Sequence, residues 1–239
     1  SADQHEETGL QPQRLGVEDR GLTGDDPRLF HAADAVPDRR LGRPHRARQI
    51  IQLTMGSFAG VNAADGKVLW KSEFPGKTAV IPTPIFKEGQ VFVAAGYGVG
   101  CKSIKLDGNT ATDLYSNTNM VNHHGGVILI DGVLYGHSDK GGWTCQDFKT
   151  GDIVWQDKSF GKGAVTSADG KLYCLSENDG MVALVEASKK GWQEVSSFKL
   201  EATSSQRNPK GKIWTHPVIS NGKLYLRDQE FISCYDVKG

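Results

Sequence analysis

From about Ile50 onward, short runs rich in Val, Ile, Leu, Phe and Tyr alternate with clusters of Gly, Asp and Asn. Short apolar runs bounded by turn-forming residues predict β-strands joined by tight connections. An amphipathic helix needs apolar residues recurring every three to four positions over about ten residues. The best candidate, residues 186–194, is too short for that. An all-β fold is expected.

Two elements recur. The first is a strand, a glycine turn and a second strand, with the turn at Gly89, Gly132, Gly170 and Gly222, spaced by 43, 38 and 52 residues. Glycine adopts positive φ at no steric cost, and Asp-Gly or Asn-Gly suits a two-residue hairpin. The longest interval holds the polar residues 201–212, read as a loop insertion. The second element is a small residue, a short polar residue two later, a polar-Gly turn and then Trp. Gly60, Asn62, Asp65, Gly66 and Trp70 match Cys145, Asp147, Thr150, Gly151 and Trp155, and the tryptophans are 85 residues apart. Tyr115 lies between them, and Cys234-Tyr235-Asp236 begins a further copy. The unit is therefore about 42 residues and supplies four short strands, the pattern of a β-propeller blade. One such sheet cannot bury both faces alone, and neighbouring blades cover them. Residues 50–239 amount to about four and a half units. The expected architecture is a partial β-propeller of about four four-stranded antiparallel blades.

This tract resembles the pyrroloquinoline-quinone-like (PQQ-like) repeat family, whose pattern is Ala-x-Asp-x-x-Thr-Gly-x-x-x-Trp. Asp147, Thr150, Gly151 and Trp155 fit it, with Cys145 in place of Ala; the copy ending at Trp70 fits more loosely, and Asp236 belongs to the copy that the chain end interrupts. The resemblance covers residues 50–239 and implies that Trp70 and Trp155 dock between neighbouring blades. It also implies a ring of seven or eight blades closed by an N-terminal strand, so the chain is read as the C-terminal part of a propeller. A periplasmic or secreted location is implied by the resemblance alone. Ser1 in place of methionine, with no charged-then-apolar leader, is expected of a processed or partial chain.

Residues 1–49 have another composition. The first 48 hold eight of the ten arginines and none of the 18 lysines, with Pro12, Pro27, Pro37 and Pro44 interrupting any helix pattern. Such a segment buries too little apolar surface to offset its ordering entropy, so low order is expected. Nine carboxylates offset its arginines, which argues against a nucleic-acid arm. The abrupt switch from arginine to lysine usage is what a shifted reading frame would leave, in which case residues 1–48 are not native sequence. Over the whole chain 28 basic and 28 acidic residues cancel, which removes the electrostatic reason to expect nucleic acid as a partner. No apolar run approaches the ~18 residues of a transmembrane segment.

The chemistry-bearing residues cluster around the expected inner strands. His123 and His124 precede Val127, and His216 precedes Val218 beside Trp214. Inner strands line a propeller's channel, so these side chains are expected at one channel mouth, as a ligand site or as structural hydrogen-bonding groups. Arg227-Asp228 is a rim salt bridge or a ligand clamp on the same reading. The four cysteines fall in strands of different blades, with no Cys-x-x-Cys motif, and are expected as buried free thiols with no metal site. Gly96-Tyr97-Gly98 imitates a dinucleotide turn but is followed by strand-like sequence rather than a helix. No nucleophile–base or metalloprotease motif is present, so no catalytic residue is assigned.

Two functions follow. The first is a non-catalytic binding or scaffold propeller, holding a protein or small-molecule ligand at the channel mouth and needing no cofactor. The second is a PQQ-dependent alcohol dehydrogenase. The resemblance implies that such an enzyme would clamp PQQ with an adjacent Cys-Cys disulfide, a stacking Trp and calcium. The sequence has no Cys-Cys pair, and Trp143, Trp192 and Trp214 are its candidates for stacking.

Overall fold

A computed structural model describes residues 48–238. They form 18 strands: β1 (Gln49–Leu53), β2 (Ser57–Asn62), β3 (Val68–Glu73), β4 (Ile85–Lys87), β5 (Gln90–Ala95), β6 (Gly100–Asp107), β7 (Thr110–Asn117), β8 (Val127–Ile130), β9 (Val133–Ser138), β10 (Gly142–Asp147), β11 (Ile153–Asp157), β12 (Gly163–Ala168), β13 (Lys171–Ser176), β14 (Met181–Glu186), β15 (Glu194–Lys199), β16 (Val218–Ser220), β17 (Lys223–Asp228) and β18 (Phe231–Asp236). Each sheet is an antiparallel meander of consecutive strands. Three have four strands, and the first (β1–β3) and last (β16–β18) have three. The chain is thus a partial propeller of five blades among the described residues. The arginine-rich segment, apart from Arg48 and Gln49, lies outside them.

The period-2 geometry of a strand explains why the middle strands read as continuous apolar runs. All six residues of β5 are buried. Val91, Val93 and Ala95 face the first blade, packing with Phe58 and Trp70. Phe92 and Ala94 face the third, packing with Leu134 and Phe148. In β13, Leu172 and Cys174 face the third blade while Tyr173 and Leu175 face the fifth. A strand covered on both sides shows no polar alternation.

The hairpin joining the first two strands of a blade has positive φ at both turn residues: Glu88-Gly89, Asp131-Gly132, Asp169-Gly170 and Asn221-Gly222. That is the mirror-image turn whose twist matches the strands it joins. Residues 186–194, the strongest helix candidate, instead close β14, turn and open β15.

A bulge recurs where the last two strands of a blade meet, after Gly60, Ser103, Cys145 and Leu184. The residues opposite these positions are Trp70, Tyr115, Trp155 and Ser196. The bulge turns the aromatic ring toward the next blade. Trp155 Nε1 donates to Ser188 O at 2.7 Å, and Tyr115 Oη donates to Phe148 O at 3.0 Å. Trp70 is buried against the second blade but donates within its own sheet, to Gln49 Oε1 at 2.7 Å. Its indole lies over Gly60, where a Cβ would come within 2.2 Å of Nε1, so glycine replaces the family's Ala there.

Asp147 organises the turn after β10. Its Oδ1 accepts from the backbone N–H of Lys149 and Thr150 at 2.8 and 2.9 Å. The turn then locks onto the second blade, because Gly151 O accepts from Asn117 Nδ2 and Asn119 Nδ2 at 3.0 and 2.8 Å. Asp236 Oδ1 accepts from Lys238 N at 3.1 Å, the start of the same turn in the fifth blade. Replacing Trp155 with Phe keeps the ring but removes the bond to Ser188 O. The expected loss of stability is about 1 kcal/mol, read by urea denaturation.

Candidate functional site

The first strands of neighbouring blades contact one another, β8 with β12 and β12 with β16, so they are the inner strands. The chain enters each inner strand at the same end of the sheet as the hairpin between the second and third strands. That end gathers residues far apart in sequence: Tyr97 from the β5–β6 hairpin, His123 and His124 before β8, Asp139 from the β9–β10 hairpin, Lys162 before β12, Glu177 from the β13–β14 hairpin, and Trp214 and His216 before β16.

Their contacts are direct. Lys162 Nζ lies 2.9 Å from His123 Nδ1 and 2.6 Å from Asp139 Oδ1. His123 stands edge-on to Tyr97, with centroids 4.5 Å apart. His216 Nε2 bonds His124 O at 2.6 Å, tying the fifth blade to the third. The His124 ring is 6.1 Å from the Trp214 indole, which is 56% exposed. The structure thus brings His123, His124, Trp214 and His216 into one cluster.

Burial lowers the pKa of His124 to about 4, and the nearby Lys162 cation adds to the shift. Its Nε2 sits 3.2 Å from Glu177 Oε2. That contact is not an ion pair at neutral pH, because the imidazole is uncharged there, and Nε2 makes no well-formed hydrogen bond. Burial and Lys162 also lower the pKa of His123. The cluster presents the neutral imidazoles of His123 and His124, one cation held by Asp139, and an exposed indole. Among the described residues, no three His, Cys, Asp or Glu side chains converge as metal ligands.

Arg227 and Asp228 do not pair with each other. Asp228 pairs with Arg207 of the 201–212 insertion, whose Nε donates to Oδ1 at 3.1 Å and whose Nη2 contacts Oδ2. Ser204 N donates to Oδ2 at 2.8 Å, and the Asp228 side chain is only 2% exposed. Successive residues of a strand point to opposite faces, so the neighbours Arg227 and Asp228 diverge. Arg227 is exposed and donates from Nε to Gln229 O at 2.9 Å. The four cysteines are buried and free. Trp143 and Trp192, the other candidate stacking residues, pack on each other and on Phe160 in the gap between the third and fourth blades.

Sequence reasoning missed Tyr97, Asp139, Lys162 and Glu177. The signal was positional, since Tyr97, Asp139 and Glu177 each sit in the second hairpin of a blade and Lys162 just before an inner strand.

These features define a propeller of PQQ-like repeats with a polar and aromatic hairpin end. The sequence model of a family described as outer membrane protein assembly factor BamB matches residues 32–157, and the chain belongs to that family. No curated protein matches the sequence. Solved structures with the same fold include BamB from Moraxella catarrhalis, at 14% identity and TM-score 0.55, covering 79% of this chain and 54% of that one. The computationally designed protein Ika8 matches at 10% identity and TM-score 0.58, covering 81% and 57%. The β-propeller domain of Myceliophteria thermophila Cps50 (Swd1) matches at 11% and 0.55, covering 80% and 67%. The chain spans little more than half the length of the first two.

Proposed function

We propose that the chain is a non-catalytic binding or scaffold propeller that takes a protein partner at its hairpin end. The observation that carries this reading is Trp214, a large indole exposed at the end of the propeller where His123, His124 and His216 gather. Exposed Trp and Tyr side chains on a rigid polar surface are the residues that most often anchor protein interfaces. Tyr97, 49% exposed, is the second such residue on this end. The family's description as an assembly factor supports a partner that is itself a protein, and with it a periplasmic or secreted location.

The quinoprotein alcohol dehydrogenase is the lesser reading. When bound, PQQ would supply the redox chemistry. The described residues fit it poorly. The four cysteines are dispersed, and no three carboxylate, thiolate or imidazole groups among the described residues are placed to hold a metal ion.

The test uses a photo-crosslinking residue at position 214 in the full chain, expressed in its host, with Val68 as an exposed control position. Crosslinks to a polypeptide from position 214 only are expected. Trp214→Ala should weaken the purified complex by at least about 2 kcal/mol, roughly thirtyfold in Kd. Absence of protein crosslinks would overturn the proposal. So would a calcium-dependent stabilisation of a few kcal/mol on titration with PQQ.

A further inference from the structure

The aromatic residue opposite each bulge fills the gap to the next blade three times, as Trp70, Tyr115 and Trp155. In the fourth blade the same register position, opposite Leu184, is Ser196. Serine cannot span the gap, and Trp192, the nearest indole in sequence, packs on the other face of the sheet with Trp143 and Phe160.

A cavity of about 410 Å³ occupies the gap between the fourth and fifth blades, lined by Ser196, Phe198, Tyr173, Leu184, Leu224 and Tyr235 among others. Its size lies within the range of about 300–1,000 Å³ seen for ligand sites. Val237 and Lys238 also line it. They begin the turn equivalent to the ones that accept the other rings. Val237 N donates to Gly222 O at 3.0 Å, as Phe148 N does to Gly132 O at 3.1 Å and Ala187 N to Gly170 O at 2.9 Å. In those equivalent turns Phe148 O accepts from Tyr115 and Ser188 O accepts from Trp155. The cavity therefore combines apolar walls, an aromatic ring at Phe198, and the kind of turn backbone that elsewhere receives an N–H or O–H from a ring. It lies at the opposite end of the sheets from the histidine cluster, beside the turns that follow β12 and β18.

We infer that this cavity is a binding site for an aromatic side chain, Trp or Tyr, presented by a partner polypeptide. The chain's own use of this geometry argues for a side chain on extended backbone. The ring is delivered each time along the outermost strand of a sheet, and β15 is the outermost strand here, with Val195 half-exposed next to Ser196. The site is independent of the reading proposed for Trp214.

The test titrates the full chain with N-acetyl-Gly-Trp-Gly-amide, its Leu counterpart and free indole, followed by NMR shifts. The tryptophan peptide should bind at sub-millimolar to millimolar concentration, perturb Ser196, Phe198 and Tyr235, and outcompete the leucine peptide at least tenfold. Ser196→Trp should abolish the binding and raise Tm by about 2–4 °C, the shift that ~1 kcal/mol gives in a chain of this size. Ser196→Tyr serves as the second filling variant should the larger ring disrupt folding. Trp214→Ala should bind the peptide unchanged. The proposal fails if no peptide binds at millimolar concentration. It fails if indole alone binds, if binding survives both Ser196 variants, or if Trp214→Ala removes it.

Discussion

Alanine at Arg207 is expected to destabilise the chain by about 3–5 kcal/mol, because it leaves a buried carboxylate without its cation. Asp228 is 2% exposed and keeps only Ser204 N as a donor once the guanidinium is gone. The insertion carrying Arg207 makes a further bond to the last hairpin, from Ser204 Oγ to Glu230 Oε2 at 2.7 Å, so the loop and the fifth blade should loosen together. Replacing both Arg207 and Asp228 by apolar residues should be much milder than either single change, since the cost lies in the unpaired charge rather than in the lost pair. Arg227→Ala, on an exposed side chain, should stay within about 0.5 kcal/mol. Urea denaturation of the four proteins decides the matter. An Arg207→Ala protein as stable as the parent would show that the pair does not hold the insertion down.

This pair marks where the sequence stops being legible. Asp228 has a basic neighbour at 227, but strand geometry sends neighbours to opposite faces, and the true partner comes from a loop 21 residues earlier with no periodic signal. The hairpins were legible because Asp-Gly and Asn-Gly carry a backbone requirement that few other residues meet, and Trp155 because it recurs in register with a polar-Gly turn. The expected four and a half units appear as 18 strands, three four-stranded sheets flanked by two three-stranded ones, a split that a residue count cannot assign. The histidines were legible as neighbours of inner strands. Lys162, Asp139 and Glu177 were not, because they meet only when separate blades are set side by side. Ser196 was hidden for a related reason. The turn between β14 and β15 differs in length from the others, so only hydrogen-bond register, not residue spacing, aligns Ser196 with the tryptophans.

Lowering the pH from 7 to 4 is expected to destabilise the fold strongly, through His124 and His137. Burial lowers both pKa values from 6.5 to about 4, with Lys162 adding to each shift. His137 stands edge-on to the buried Trp143, with centroids 5.7 Å apart, and its Nδ1 has no partner. Between pH 6.5 and 4 the unfolded chain binds more protons at these two residues than the folded one. Their contribution is therefore complete above pH 6.5, falls as the pH drops toward 4, and levels off below the folded-state pKa. Each histidine can cost on the order of 3 kcal/mol over that window. The sum is an upper bound, since Glu177, 3.2 Å from His124 Nε2, becomes an ion-pair partner once that ring is charged. Against a net stability of roughly 5–15 kcal/mol, a loss of this size brings the domain close to unfolding near pH 4. Urea midpoints at pH 7, 5.5 and 4.5 should fall steadily, and His137→Phe should flatten the slope by about half. A stability unchanged between pH 7 and 5, or imidazole signals titrating near 6.5 in the folded protein, would mean that both rings are wet rather than buried and neutral.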